Sequence, residues 1–317
     1  MLGVFLDCGS LANDDIDFSR LEKSLPAWHF YETSNQDIIA KRIAEASVVV
    51  TNKAMLDADC LAQARKLRLI LISATGTDNV DLDAARQQGI AVCNVKGYST
   101  PSVVQHVFML ILALTTHLPD YQRAIAHQRW QKSAHFCLLD FPINEIAGMT
   151  LGIIGYGTLG QQVAHIAEAF GMRVMIAQRA GSDNIEGRTP LNDLLPQVDI
   201  LSLHCPLTTA TRGLIGAKEL ALMKRTAFLI NTARGGIVDE TALADALRAH
   251  ALGGAGIDVL GVEPPDNANP LLAAGIPNLI LTPHIAWASR EARQRLVGEL
   301  VLNIEAFFAG VPRNRVI

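Results

Sequence analysis

Short apolar runs rich in β-branched residues alternate with longer amphipathic stretches along almost the whole chain, and no other feature restricts the fold as much. In the first part, Gly3–Asp7, Val48–Thr51, Leu69–Leu71 and Ile90–Val92 read as strands. Helical stretches lie between them at Asp37–Ala46 and Asp81–Gln88, the latter closed by Gly89. Strands that are apolar on both faces and separated by helices form a parallel sheet covered on both sides. A helix over about Ser102–Thr116 comes next, then a more polar region with His127, Trp130 and Phe136. From Thr150 the alternation restarts in six runs: Leu151–Ile154, Arg173–Ala177, Asp199–His204, Ala227–Asn231, Ala255–Val259 and Leu279–Thr282. A last helix covers Ser289–Phe308. With 317 residues, half of them apolar, the chain buries a large core, and its two αβ series meet near residue 100 without a flexible spacer.

A net charge of -4 and a pI near 6.1 leave no broad basic face, which argues against nucleic acid as a partner. The longest apolar run, Val107–Leu114, falls well short of the roughly 20 residues a membrane-spanning helix needs. Asp7 interrupts the apolar run Val4–Leu6, so the N-terminus lacks the pattern of a secretory signal. The five cysteines, Cys8, Cys60, Cys93, Cys137 and Cys205, form no CxxC pair. They fit reduced thiols and point to no structural metal. The expectation is a cytoplasmic protein with neither membrane nor nucleic acid as partner.

The stretch "LGIIGYGTLG" sets a strand before Gly155-Tyr156-Gly157-Thr158-Leu159-Gly160 and a helical pattern after it (Val163, Ala164, Ile166, Ala167, Phe170). A bare GxGxxG is weak in a chain with 24 glycines; the strand before and the helix after give this one its weight. The first glycine permits a tight turn, the second admits a pyrophosphate against the backbone, and the third lets the helix pack closely. Six runs are also the number a full dinucleotide-binding sheet requires. The fold class expected is α/β, with two Rossmann-like or flavodoxin-like parallel-sheet domains and a cleft between them. The second strand of such a sheet ends about 20 residues on in an acid that accepts the ribose hydroxyls of NAD. Here Val174–Ala177 ends in Gln178-Arg179. Glutamine does not repel a 2′-phosphate, and arginine can pair with one. The cofactor expected is therefore NAD(P), with NADPH preferred or both accepted; the plainer alternative is an Arg179 that points into water.

Ligands of open parallel sheets lie outside the carboxyl ends of the strands. Three chemical groups follow that rule: Arg234 after "AFLIN", Glu263 after "GGAGIDV" and His284 after "NLILT". A lone histidine is more often structural than catalytic, but three such residues at successive strand ends make an active site the better reading. They suit hydride transfer between a nicotinamide and a carbonyl beside a carboxylate. Arg234 can grip the carboxylate bidentately, and His284 can give the carbonyl oxygen a proton and take it back. Glu263, bonded to the far ring nitrogen, would fix the tautomer and favour the protonated ring. Metal binding is the rival use of His and Glu, but no other His or Cys has suitable spacing.

At this point the sequence resembles the D-2-hydroxyacid dehydrogenase family along essentially its whole length, through "LGIIGYGTLG", "LSLHCPLT", "LINTARGGIVDE", "GIDVLGVEPP" and "LTPHIAW" in that order. "SATGTDNVDLDAA" and "GIAVCNVKGYST" upstream add to the likeness. Within the family it is most similar to the glycerate dehydrogenases, also called hydroxypyruvate reductases, through "ATGTDNVD", "GYSTPSVVQH" and the tryptophan of "HIAW". The resemblance implies a discontinuous layout: residues 1–98 plus 286–317 as substrate-binding domain and 99–285 as NAD(P)-binding domain. It implies the same roles for Arg234, Glu263 and His284. It also implies Thr158 and Leu159 on the pyrophosphate, and His204, Cys205, Pro206, Thr232, Ala233 and Asp258 along the rest of the cofactor, Asp258 near the carboxamide. Thr75, Gly76 and Thr77 would offer backbone N–H groups to the substrate carboxylate, and Leu114–Ile146 would form a homodimer contact.

The activity these implications describe is reduction of hydroxypyruvate, and of glyoxylate, to D-glycerate and glycolate. A broader 2-ketoacid reductase is one alternative; a dinucleotide-sensing, corepressor-like binding protein is another. Gln178 replaces the family's usual acid, and Gln105 stands where many relatives have glutamate before a histidine. The helix around Phe108 and Met109 is expected in the core, Trp28 and Trp130 in packing, and His127 and His135 at the surface or an interface. Trp287, three residues past His284, either packs or walls a substrate pocket.

Overall fold

A run such as Val48-Val49-Val50-Thr51 has an apolar or β-branched side chain on each face of the strand, so neither face can be left to water. In the computed structural model, which describes residues 1–11, 14–179 and 185–317, all four are buried. The chain divides into two units, residues 1–99 with 287–317, and residues 100–286. The first holds β1 (Leu2–Phe5), β2 (Ala27–Phe30), β3 (Val48–Thr51), β4 (Leu69–Ile72) and β5 (Ala91–Cys93). Their order is β2-β1-β3-β4-β5 with every pairing parallel. Val49, Ile70 and Val92 face a layer with Ile39, Ile43, Leu61 and Ala85 from the helices Gln36–Ile43, Ala58–Gln63 and Leu82–Gln87. Val48, Val50, Leu69 and Leu71 face the other way, onto Leu296, Val297, Leu300 and Ile304 of the helix Arg290–Phe308. The fifth strand, β2, was absent from the expected set. It follows Pro26 at the sheet edge and alternates exposed with half-buried residues, so it carries no continuous apolar signal.

The second unit holds β6 (Thr150–Ile154), β7 (Arg173–Ile176), β8 (Ile200–Leu203), β9 (Phe228–Asn231), β10 (Gly254–Ile257) and β11 (Leu279–Leu281). These strands coincide with the six runs read from sequence. Their order is β11-β10-β9-β8-β6-β7, all parallel, so the direction of winding reverses at β6. A single parallel bridge from Ala177 to Thr189 extends the sheet beyond β7. The helix Thr100–Thr115 buries ten of its sixteen residues, Phe108 among them. Met109 departs from the core expectation: it is exposed and lines a groove of about 530 Å³ with Val104, Leu112 and Ile166. Trp130 is half exposed, and its indole N–H donates to the Phe136 carbonyl at 2.9 Å. Among the described residues no single helix is long and apolar enough to cross a membrane.

Candidate active site

Where the winding of a parallel sheet reverses, the loops leaving two adjacent strands part and open a crevice. In the second unit that point lies between β6 and β8. Gly155 follows β6 with φ +94°, and a Cβ there would sit 2.5 Å from the backbone carbon of His204, which follows β8. Gly160 is required by packing, since its Cβ would lie 2.1 Å from the Gly155 oxygen. Gly157 differs from both. Its φ of -81° suits any residue, and an added Cβ would meet no atom within 4 Å. The helix Thr158–Ala169 starts there, and its first-turn N–H groups lack partners inside the helix.

The neighbouring strand ends carry polar atoms that the fold leaves unused. His204 Nε2 meets Ser202 Oγ at 2.9 Å, but its Nδ1 is buried with no hydrogen-bond partner among the described residues. Burial pushes the His204 ring down to about 4, so it is neutral at physiological pH. Thr232 Oγ1, just past β9, is likewise buried and unpartnered. Burial raises the thiol of Cys205, and the Pro206 carbonyl accepts from Thr211 Oγ1 at 2.6 Å. Past β7, the Gln178 N–H donates to the Thr189 oxygen at 2.8 Å, and Arg179 is exposed. The guanidinium of Arg188, a residue the sequence did not bring forward, lies 4.7 Å from the ring centre of Tyr156.

The strands β9, β10 and β11 are neighbours, and each is followed by one of the three chemical groups. After β9, the buried Asn231 closes the turn: its Nδ2 donates to the Arg234 oxygen (3.0 Å) and its Oδ1 accepts the Ala233 N–H (3.1 Å). Arg234 is exposed, with Nη1 donating to the Ala233 carbonyl at 2.7 Å. A Cβ at Gly235 would lie 1.8 Å from the Leu260 oxygen, so this turn fits tightly against the loop after β10. That loop is tied down by Glu240, whose Oε1 accepts the Gly261 N–H (2.6 Å) and whose Oε2 accepts Asn269 Nδ2 (2.7 Å). Glu263 accepts the Leu260 N–H on Oε1 (2.8 Å), and its Oε2 is 2.5 Å from His284 Nδ1.

An ionised carboxylate can only accept, so Nδ1 carries a proton and Nε2 is the ring position open to exchange. His284 itself is in the left-handed region, φ +55°, with its N–H donating to the Asp258 carbonyl at 2.8 Å. The side chain of Asp258, a residue only 2% exposed, serves the chain's own loop: Thr282 Oγ1 (2.5 Å) and the N–H groups of Ile285 (3.0 Å) and Ala286 (2.9 Å) donate to it. Among the described residues no three His, Cys, Asp or Glu side chains are grouped as a metal site requires.

The remaining expected residues belong to the first unit. Thr75 Oγ1 donates to the Val95 oxygen (2.9 Å), and the Thr75 carbonyl accepts from Asn94 Nδ2 (2.8 Å). Gly76 follows, and the Thr77 carbonyl accepts the Val80 N–H at 3.2 Å. Trp287 is half-buried and meets Tyr98 edge-on at 6.4 Å, packed against the core of that unit.

The family model described as "D-isomer specific 2-hydroxyacid dehydrogenase, NAD binding domain" matches residues 108–286, nearly all of the second unit. The chain is 46% identical to a glycerate dehydrogenase of Methylorubrum extorquens over 313 residues, covering 98% of this chain and 97% of that one. It is 35% identical to a hydroxypyruvate reductase of Blautia hydrogenotrophica over 317 residues, covering 98% of each. The solved TT0316 protein of Thermus thermophilus superposes with a TM-score of 0.88 at 35% identity, over the whole of both chains. Likeness of this extent, in sequence and in fold, leaves one assignment: the chain belongs to the D-isomer specific 2-hydroxyacid dehydrogenases, oxidoreductases that act on the CH–OH group of their donors.

Proposed function

We propose that this enzyme reduces hydroxypyruvate to D-glycerate and glyoxylate to glycolate, reversibly, with a nicotinamide dinucleotide as its partner. The observation that carries this reading is the His284–Glu263 pair and Arg234 on successive strand ends of the sheet whose first turn is the glycine cradle. Similarity to a glycerate dehydrogenase and a hydroxypyruvate reductase supports the choice of substrate. We assign cofactor binding to the second unit and substrate binding to the first.

The residues present fit a dinucleotide. Gly157 is demanded neither by its own φ nor by its neighbours, which is what close approach of a ligand would require. The unpartnered His204 Nδ1 and Thr232 Oγ1 give such a ligand two polar atoms to satisfy. Gly155 to Gly160, His204, Cys205, Pro206, Thr232 and Ala233 would hold it, and when bound it supplies the hydride. Arg234 holds the substrate carboxylate through paired N–H donors. His284, its tautomer set by Glu263, gives a proton from Nε2 to the carbonyl oxygen in reduction and removes it in oxidation.

The absence of a carboxylate at Gln178, with Arg179 beside it and Arg188 near the cradle, supports use of NADPH, preferred or alongside NADH. Changing Gln178→Asp sets a negative charge opposite the 2′-phosphate and is expected to shift kcat/KM toward NADH by about tenfold or more. An unchanged NADPH-to-NADH ratio would show that this strand end does not read the phosphate. Phe136, 91% exposed, with exposed Leu139 and Ile143 nearby, supports a homodimer contact on the segment after the helix Leu118–Ala126. Sedimentation equilibrium returning only the monomer mass would remove that assignment. The experiment that tests the activity is the initial rate with hydroxypyruvate, glyoxylate and pyruvate, each with NADPH and NADH. Fast turnover of hydroxypyruvate is expected, and cofactor binding without turnover of any of the three would overturn the substrate reading.

A further inference from the structure

His106 lies in the apolar helix Thr100–Thr115, its side chain 11% exposed, 2.9 Å from Thr282 Oγ1 and 3.5 Å from Asp258 Oδ1 through Nε2. Thr282 Oγ1 is in turn 2.5 Å from Asp258 Oδ1. The donors in this line can be assigned from chemistry alone. A carboxylate accepts, so the single hydroxyl proton of Thr282 goes to Asp258, and the Thr282 oxygen must accept from His106. His106 therefore carries its proton on Nε2. Burial lowers its affinity for a second proton, against the opposing pull of Asp258.

The line ends on the segment that carries the proton donor. Asp258 receives Thr282 Oγ1 two residues before His284, and the N–H groups of Ile285 and Ala286 directly after it. His284 between them has φ +55°, a conformation that a non-glycine residue keeps only where its surroundings over-determine it. Its N–H is held by the Asp258 carbonyl at 2.8 Å, so one residue past β10 holds the Thr282 side chain before the histidine and the backbone at it and after it. We propose that His106 and Thr282 are positioning residues for the reaction: through Asp258 they hold the His284 backbone in the left-handed conformation that brings Nδ1 onto Glu263. The inference rests on the reading of His284 as proton donor given above.

Three variants and two readouts test it. His106→Leu removes the donor, His106→Gln returns an N–H at the position of Nε2, and Thr282→Val removes the hydroxyl at constant shape. Steady-state rates with hydroxypyruvate are measured beside proton NMR of the ligand-free protein, in which the Nδ1–H shared with Glu263 gives a far-downfield resonance, assigned by its absence from His284→Ala. His106→Leu and Thr282→Val are each expected to lower kcat by about tenfold or more and to lose or shift that resonance, with KM and the cofactor Kd changed by less than about threefold. His106→Gln is expected to keep both the rate and the resonance. Because all three residues act in one line, the double variant His106→Leu/Thr282→Val should cost no more than the worse single. An unaltered kcat and resonance in Thr282→Val or His106→Leu would overturn the proposal, as would a lowered Tm with kcat per folded molecule unchanged. If the wild-type enzyme fails to reduce hydroxypyruvate while the resonance still responds to His106→Leu, the substrate reading fails and the positioning line stands.

Discussion

His284→Ala is expected to lower kcat for hydroxypyruvate reduction by about 10²–10⁴-fold, the contribution of a positioned proton donor, with cofactor affinity near that of wild type. The separation follows from where the histidine is. It stands past β11, at the far edge of the sheet, whereas the glycine cradle and the His204 turn stand past β6 and β8, on either side of the reversal point. Alanine alone would leave the result ambiguous, because it keeps the left-handed backbone but tolerates it poorly. Asparagine tolerates a φ near +55° and cannot carry the proton, so His284→Asn isolates the chemistry from the conformation. Both variants should bind cofactor, read by fluorescence titration, and both should be slow. A kcat near wild type in either would return His284 to a purely structural part.

Acidification should weaken the second unit through His204. Burial holds its folded-state pKa at about 4, below the 6.5 of an exposed imidazole, so the unfolded chain takes up a proton that the folded chain refuses. The stability linked to this residue is whole above pH 6.5, falls as pH drops through that window, and is gone near 4. At about 1.4 kcal/mol per unit the loss is ~3 kcal/mol. His106, also lowered by burial, adds a loss of the same sign. Urea unfolding at pH 7 and pH 4.5 measures the effect, with His204→Gln as the control that cannot protonate. The wild-type midpoint should fall much further between the two pH values than that of the variant. Equal falls in both would mean that the ring is hydrated in solution and titrates normally.

Much of the second unit could be read from the chain because β6, β8, β9 and β10 are buried at every position, and each is a run without a charged residue, interrupted at most by one Thr, Ser or Asn. At an edge that signal fades. β2 is half wet and follows a proline, so only pairing with β1 reveals it. Met109 fails for a related reason: an apolar residue in an apolar helix says nothing of which side the sheet covers. The Glu263–His284 contact was legible since strand ends of one parallel sheet share a rim, and position in the pattern is enough to bring them near. The groups that hold this pair were not. Glu240, Asn269 and Thr282 act by hydrogen bonds whose partners are remote in sequence, and His106 reaches Thr282 across 176 residues. Asp258 was placed by resemblance beside the carboxamide, and the structure adds that both of its oxygens already serve residues 282 to 286.

The first unit is assembled from two separate lengths of chain, and this sets an order on synthesis. Strands β1 to β5 leave the ribosome early, with three helices at hand for one face of their sheet and only the four-residue helix Ser19–Glu22 for the other. The helix for the other face, Arg290–Phe308, is translated only after residues 100–286, roughly 10–40 s later at about 5–20 residues per second. For that interval Val48, Val50, Leu69 and Leu71 lack the cover of Leu296, Val297, Leu300 and Ile304, while the whole of the second unit emerges and can close. The unit that begins first is thus completed last, and the wait, more than the final stability, is when a nascent chain of this enzyme is most exposed to aggregation.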